Sequence, residues 1–428
     1  MPSQAFVRSP AGSRFGYEEP LRYGSCMGLA RQFGWVAFAR LAAAGTQAVT
    51  LLLLVRGSAL EDVAVLTAAM GVLVLGQGLS DLGLSAFAAR EHAAASDSGV
   101  VAGALRLVRM TSGGLIAASI LAATGFCIAT GSPLLLPLVV LAVSAGLEKN
   151  AQAHLGVTIA SAAAAKSARV VLAGRALTLA VMLALSAVGV VAPVAFATAL
   201  ALGNCLNAVQ AERDSRMRVG PQHAGSTSTR RDLIRRSRPF WLNTFAAQVR
   251  NLDATIAATL GGPSVGAAFG VTSRLVTPLR MIPTSLATVL MPASAREGGV
   301  TLRQGRRIAL VTVLVSLVPL VAMALSAPWL VPTLFGNEYA VAVGAIQVMV
   351  ISLAFAAVAS LLSATLQGAG HAKVVASAAI VGAATCLIGV AFGTIVGGAT
   401  GAAFGLGSSF VVQSAILLVS ISRRISER

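Results

Sequence analysis

The sequence predicts an all-α integral membrane protein of about twelve transmembrane helices in two six-helix lobes. Two observations carry that expectation. The 428 residues are 56% apolar and only 11% charged, with a mean hydropathy of +0.82, a balance far from that of a soluble domain. The arginines gather in every second gap between the apolar stretches and nearly vanish from the gaps between, which is the mark of a membrane protein with a fixed orientation.

About 20 apolar residues cross a hydrocarbon core of roughly 30 Å, and the chain holds enough of them for about twelve crossings. The first six spans fall near 33–55, 63–88, 104–130, 133–156, 170–190 and 193–211. The second six fall near 239–261, 265–292, 306–328, 341–367, 373–394 and 398–420. The gap after span six, 212–238, carries Arg213, Arg216, Arg218, Arg230, Arg231, Arg235, Arg236 and Arg238 against Glu212, Asp214 and Asp232. A loop so basic stays in the cytoplasm. Counting outward places on the same side Arg90, Arg106 and Arg109, then Lys149, Lys166 and Arg169, then Arg296, Arg303, Arg306 and Arg307, then Lys373. Both tails join them, residues 1–32 at one end and 421–428 at the other, in a multi-pass protein of the cell membrane. The opposite face holds Arg56, Glu61, Asp62, Glu338 and little else.

Other classes find no support. The formal charge of +17 is spread over topogenic loops without interleaved aromatics, so nucleic acid is not expected as a partner. The N-terminal 32 residues are polar and rich in Pro and Gly, and read as a tail rather than a secretory signal. Cys26, Cys127, Cys205 and Cys386 are scattered without metal or disulfide spacing. His92, His154, His223 and His371 fall in the expected cytoplasmic gaps, and neither a zinc-protease motif nor a nucleophile elbow occurs. No cofactor or metal is expected, and a monomer is. Glu61 and Asp62 could suggest a membrane glycosyltransferase or polymerase, but their short gap leaves no room for a catalytic domain.

The basic gap divides the chain into lobes 33–211 and 239–420, with Gly220 to Thr229 (GPQHAGSTST) reading as a tether. Two bundles joined on one face suit a protein that rocks around a site between them.

Three segments then resemble a known family. GLSDLGLSAFAAR (Gly78 to Arg90) ends span two in a glycine-centred exit into a basic loop. NLDATIAATLGGPSVGAAFGVTSRLVTPLRMIPTSLATVLMPASA (Asn251 to Ala295) has a mid-span Asp, a Gly-rich turn, a VG…G..SR stretch and a closing Pro. LFGNEYAVAVGAIQVM (Leu334 to Met349) is followed by LLSATLQGAGHAK (Leu361 to Lys373). In order and spacing these are similar to polysaccharide-type flippases of the multidrug/oligosaccharidyl-lipid/polysaccharide (MOP) exporter superfamily. The resemblance implies a V-shaped pair of lobes that carries an undecaprenyl-diphosphate-linked saccharide from the cytoplasmic to the outer leaflet. It also implies glycosyltransferases and a polysaccharide polymerase as partners, beside the bilayer.

The residues themselves point to a charged cavity. A charge at mid-membrane costs about 2.5 to 3.5 kcal/mol on insertion scales, so such residues face the bundle interior. Arg40 and Gln47 stand seven apart on span one and share a face, as do Gln77 and Asp81 on span two. Arg250 and Asp253 stand three apart on span seven, where they could pair, and Arg274 and Arg280 lie on span eight. The cationic surplus suits a diphosphate, which guanidinium binds bidentately. Arg40, Arg280, Arg274 and Gln47 are therefore the expected substrate contacts. Arg250, Asp253 and Asp81 are expected to form an ion pair or a coupling site, with Asp253 open to pairing with Arg250 or Arg274 and Asp81 to local pairing with Arg90. Gly266 and Gly270, and Gly397, Gly401 and Gly405, are spaced for close helix approach, and Pro193, Pro278, Pro283, Pro292 and Pro319 for bends. A multidrug cation antiporter of the same superfamily is the alternative; it would place carboxylates in the interior, where only Asp81 and Asp253 are candidates.

Overall fold

A computed structural model describes residues 26–95, 98–219, 229–250, 252–296, 300–335 and 342–426. The described residues form helices and no strand. The N-terminal lobe comprises α1 (Cys26–Arg56), α2 (Leu60–Ser80), α3 (Leu84–Ala93), α4 (Ser98–Thr130), α5 (Leu135–Ala160), α6 (Ala164–Ala187) and α7 (Ala192–Val219). The C-terminal lobe comprises α8 (Arg230–Arg250), α9 (Asp253–Ala295), α10 (Leu302–Phe335), α11 (Ala342–Gly368) and α12 (Ala372–Ser426). Seven of these helices are long and apolar enough to cross a membrane, and the bent pair of α2 and α3 makes eight.

The twelve expected spans map onto these helices once the breaks are read. Span two is α2 plus α3, bent by 50°. Span seven is α8 plus the start of α9, span eight the rest of α9, and α12 holds the last two spans. Inside the long helices the non-helical backbone falls at glycines, Gly262 in α9 and Gly397 and Gly398 in α12, and not at the expected prolines. Gly397 therefore shapes the turn between the last two spans. Gly401 and Gly405 pack as anticipated, each against the backbone of the preceding span, where a Cβ would run into Gly393 and Gly389.

At the bend of span two, Leu82 and Gly83 both take positive φ, 51° and 71°. A Cβ on Gly83 would collide with the backbone nitrogen of Trp241 and lie 2.8 Å from the Ser237 carbonyl of α8. Gly83→Ala is expected to cost about 1 to 3 kcal/mol through left-handed strain alone. A lowered melting temperature of the detergent-purified variant checks this.

Two sequence expectations change here. Lys149 does not lie in a loop: it is buried in the middle of α5, where its Nζ donates to Ser80 Oγ (2.9 Å) and Thr111 Oγ1 (2.8 Å). His154 is likewise buried inside α5, against Ser215 Oγ at 2.6 Å. The helix continues to Ala160, so residues that looked like the start of a loop are still in the bundle.

The lobes meet at one face, the one that bears the helix ends Cys26, Ala160, Val219, Arg230 and Ser426. Three apolar clusters cross between lobes there. One joins Leu29 and Val36 of α1 to Leu286 and Leu290 of α9; a second joins Phe87 of α3 to Leu233 and Phe240 of α8. The third sets Ala89, Ala93 and Ala160 against Met291 and Ala295. Buried Glu91 pairs with Arg90 and with Arg236 of the other lobe at 2.8 Å, and Trp241 Nε1 donates to the Leu79 carbonyl at 3.1 Å. The two large clusters toward the opposite face each stay within one lobe. The molecule is thus sealed at the terminal face, and the seal is apolar burial reinforced by a buried carboxylate between two arginines.

Candidate functional site

Above the seal lies a cavity of three chambers that meet at Gln152, which lines all of them. A chamber of about 490 Å³ faces mainly the C-terminal lobe, one of about 510 Å³ the N-terminal lobe, and one of about 300 Å³ lies between them. Each falls within the size of ordinary ligand sites.

In the C-terminal chamber the charged lining residues among those described are Arg250 and Arg280. Their guanidinium carbons stand 5.3 and 5.8 Å from the centre of the Phe410 ring, a cation–π arrangement on one aromatic plate. Arg250 donates to Gln413 Oε1 (2.6 Å) and to the Ala379 carbonyl (3.3 Å), and is seated where Gly382 leaves room for it. Arg280 is exposed to the cavity. Gln152, Asn243, Gln367 and Gln413 add amide groups, and Thr284 and Thr288 add hydroxyls.

The N-terminal chamber holds mixed charge: Asp81, Glu148, Lys149 and Arg175, with Gln47 and Gln77. Arg175 pairs with Glu148 at 3.3 Å. Asp81 accepts from Ser85 Oγ across the bend of span two, and the charge of Lys149 reaches it. The local partner considered for Asp81, Arg90, pairs with Glu91 instead. Glu148, Lys149, Arg175 and Gln152 are the residues sequence reasoning missed. The signal was the run Glu148-Lys149-Asn150 inside an apolar stretch.

Arg40 and Gln47 both line the middle chamber, as their seven-residue spacing implies. Arg40 crosses the lobes: it donates to Thr288 Oγ1 (2.8 Å), Thr284 Oγ1 (3.3 Å) and Ser285 Oγ (3.4 Å) of α9. Arg274 has its side chain outside the described residues.

The expected pair of Arg250 and Asp253 stands where α8 ends and α9 begins. Asp253 lies within electrostatic reach of Arg280 and Cys386. Asp253→Ala should therefore change the charge felt by Arg280 rather than strip a partner from a sealed core, so membrane abundance is expected to stay near normal while transport changes; abundance and transport of this variant are the measurement.

No protein-family model matches the chain, and no curated protein does. Solved structures match along nearly its whole length. The Vibrio cholerae MATE transporter VcmN in its bent form superposes with a TM-score of 0.75 at 15% identity, over 94% of this chain and 97% of that one. A multidrug resistance MATE family transporter of the MOP superfamily, in an outward-facing conformation, gives 0.73 at 15% identity over 96% and 99%. A MATE structure in the straight conformation gives 0.71 at 16% identity over 94% and 96%. The two-lobed, all-helical, multi-pass fold of this chain is that of the MATE transporters of the MOP superfamily.

Proposed function

We propose that this protein is an alternating-access exporter of the cell membrane whose substrate is an anionic amphiphile, an undecaprenyl-diphosphate-linked saccharide moved toward the outer leaflet for surface-polysaccharide synthesis. The single observation that supports this reading is the charge of the C-terminal chamber. Its charged lining among the described residues is two arginines beside one aromatic ring, ringed by amides and hydroxyls. Guanidinium pairs take phosphate oxygens, the aromatic plate suits a sugar face, and amides suit sugar hydroxyls. A cationic drug would meet like charge there. The expected glycosyltransferase and polymerase partners and the cytoplasmic placement of both termini belong to this proposal.

A second reading, a multidrug cation antiporter, is favoured by the multidrug transporters that share the fold and by Asp81 and Glu148 in the N-terminal chamber. Against it, Glu148 is paired with Arg175 and Asp81 shares its surroundings with Lys149. Proteoliposomes carrying the purified protein separate the two. Translocation of a fluorescent polyprenyl-diphosphate-linked sugar, without transport of a lipophilic dye cation, is the expected result. Dye-cation transport with no movement of the diphosphate would overturn it.

A further inference from the structure

A crevice between α4 and α7, floored by α5, lies at the terminal face and shares no lining residue with the three chambers. We propose that it binds the phosphate headgroup of an anionic phospholipid of the adjoining leaflet. Its volume is about 370 Å³, and its ionisable lining is Arg106, Arg109, Arg216, His154 and Glu212.

The charge count is the first argument. Three guanidinium groups face one carboxylate. Glu212 accepts from Arg216 at 2.5 Å and from Arg109, yet those side chains remain 67% and 57% exposed. Each guanidinium carries about five N–H donors, more than one carboxylate can engage. Arg109 and Arg216 alone therefore exceed the charge of Glu212 and keep open donors in the fork geometry that suits phosphate.

The second argument is the floor. His154 and Ser215 are buried and bonded to each other at 2.6 Å, so the base of the crevice is polar and fixed although it lies among helices. A loop charge present only to set topology needs no such base.

Third, the apolar surroundings fit a lipid. On α7 the exposed residues Leu202 and Val209 lead along the helix to Arg216, and on α4 exposed Leu121 and Met110 lead to Arg109 and Arg106. Val209 and Arg216 are seven apart and share a face. Two lipid-facing apolar stripes thus end in arginines at the depth where headgroups sit. Basic pockets between transmembrane helices take anionic headgroups in this way.

Native mass spectrometry of the full-length protein, exchanged from nanodiscs of phosphatidylglycerol and phosphatidylcholine, tests the proposal. Retained phosphatidylglycerol in preference to phosphatidylcholine is the expected result. Arg106→Gln leaves the Glu212 clamp in place and should weaken retention about fivefold, the loss expected for one arginine near an anionic surface. Arg106→Lys should keep most of it, and Arg303→Gln, on the same face of the other lobe, should change nothing. If Arg106→Gln lowers protein yield, the triple variant Arg109→Gln, Glu212→Gln, Arg216→Gln, which removes both clamp arginines together with the carboxylate they hold and so one net positive charge, takes its place with the same expectation. Equal retention of both lipids, or unchanged retention in the crevice variants, overturns the proposal. So does displacement of the lipid by millimolar inorganic phosphate, which would make this a site for the free anion. Because no lining residue is shared with the chambers, none of these outcomes depends on what the central cavity carries.

Discussion

Arg280→Ala is expected to abolish transport while leaving near-normal amounts of folded protein. Its guanidinium is exposed to the C-terminal chamber over Phe410, so the folded state gains little from it. A hydrogen bond to a charged group contributes about 1.5 to 3 kcal/mol, so substrate affinity should fall roughly tenfold to a hundredfold. Arg280→Lys should recover part of that loss, because Lys restores charge without the planar fork. Arg250→Ala should behave differently. That side chain ties Gln413 and the Ala379 carbonyl together, so its removal should lower both abundance and transport. Export measured beside membrane abundance distinguishes the two arginines.

Arg40→Ala is expected to loosen the seal between lobes. Arg40 makes three side-chain hydrogen bonds across the seam, and the strongest, at 2.8 Å to Thr288, joins the midpoint of α1 to the cavity wall of α9. Losing a charged hydrogen bond at about 1.5 to 3 kcal/mol moves a two-state equilibrium by a factor on the order of tens. A cysteine at Ala293, buried in the seam beyond Arg40, should become reactive to a soluble thiol reagent in the Arg40→Ala background and stay protected otherwise. Arg40→Lys should leave it partly protected. Protection unchanged in Arg40→Ala would mean that the apolar clusters alone hold the seam.

Much of this architecture was legible in the chain because membrane insertion writes its rules into composition. Apolar length set the spans, whereas the basic segment expected as a linker is helical at both ends, with Arg213 to Arg218 in α7 and Arg230 to Arg238 in α8. Gly401 and Gly405 were recognisable as packing residues because spacing of four is sufficient evidence on a continuous helix. The failures share one cause, the assumption of unbroken helices with ends at the last apolar residue. Glu148 and Lys149 looked like the edge of a span, yet α5 carries them in its middle because Ser80, Thr111 and Arg175 satisfy them there. Arg250 and Asp253 looked like neighbours on one continuous span, but α8 ends at the first and α9 begins at the second. The arginines of the cavity were readable from sequence, whereas its division into an arginine-lined chamber and one of mixed charge is a product of packing.

An export cycle around the cationic chamber requires its anionic substrate to shift the balance between the two lobe arrangements. Spin labels at Ser186, near the end of α6, and Thr333, near the end of α10, report the separation of the lobes at the face opposite the seal. Adding a polyprenyl-diphosphate-linked sugar to the protein in nanodiscs should change that distance in the wild type and not in Arg280→Ala, while a lipophilic cation should leave both unchanged. A distance that changes with the cation and ignores the diphosphate would contradict a diphosphate-binding chamber.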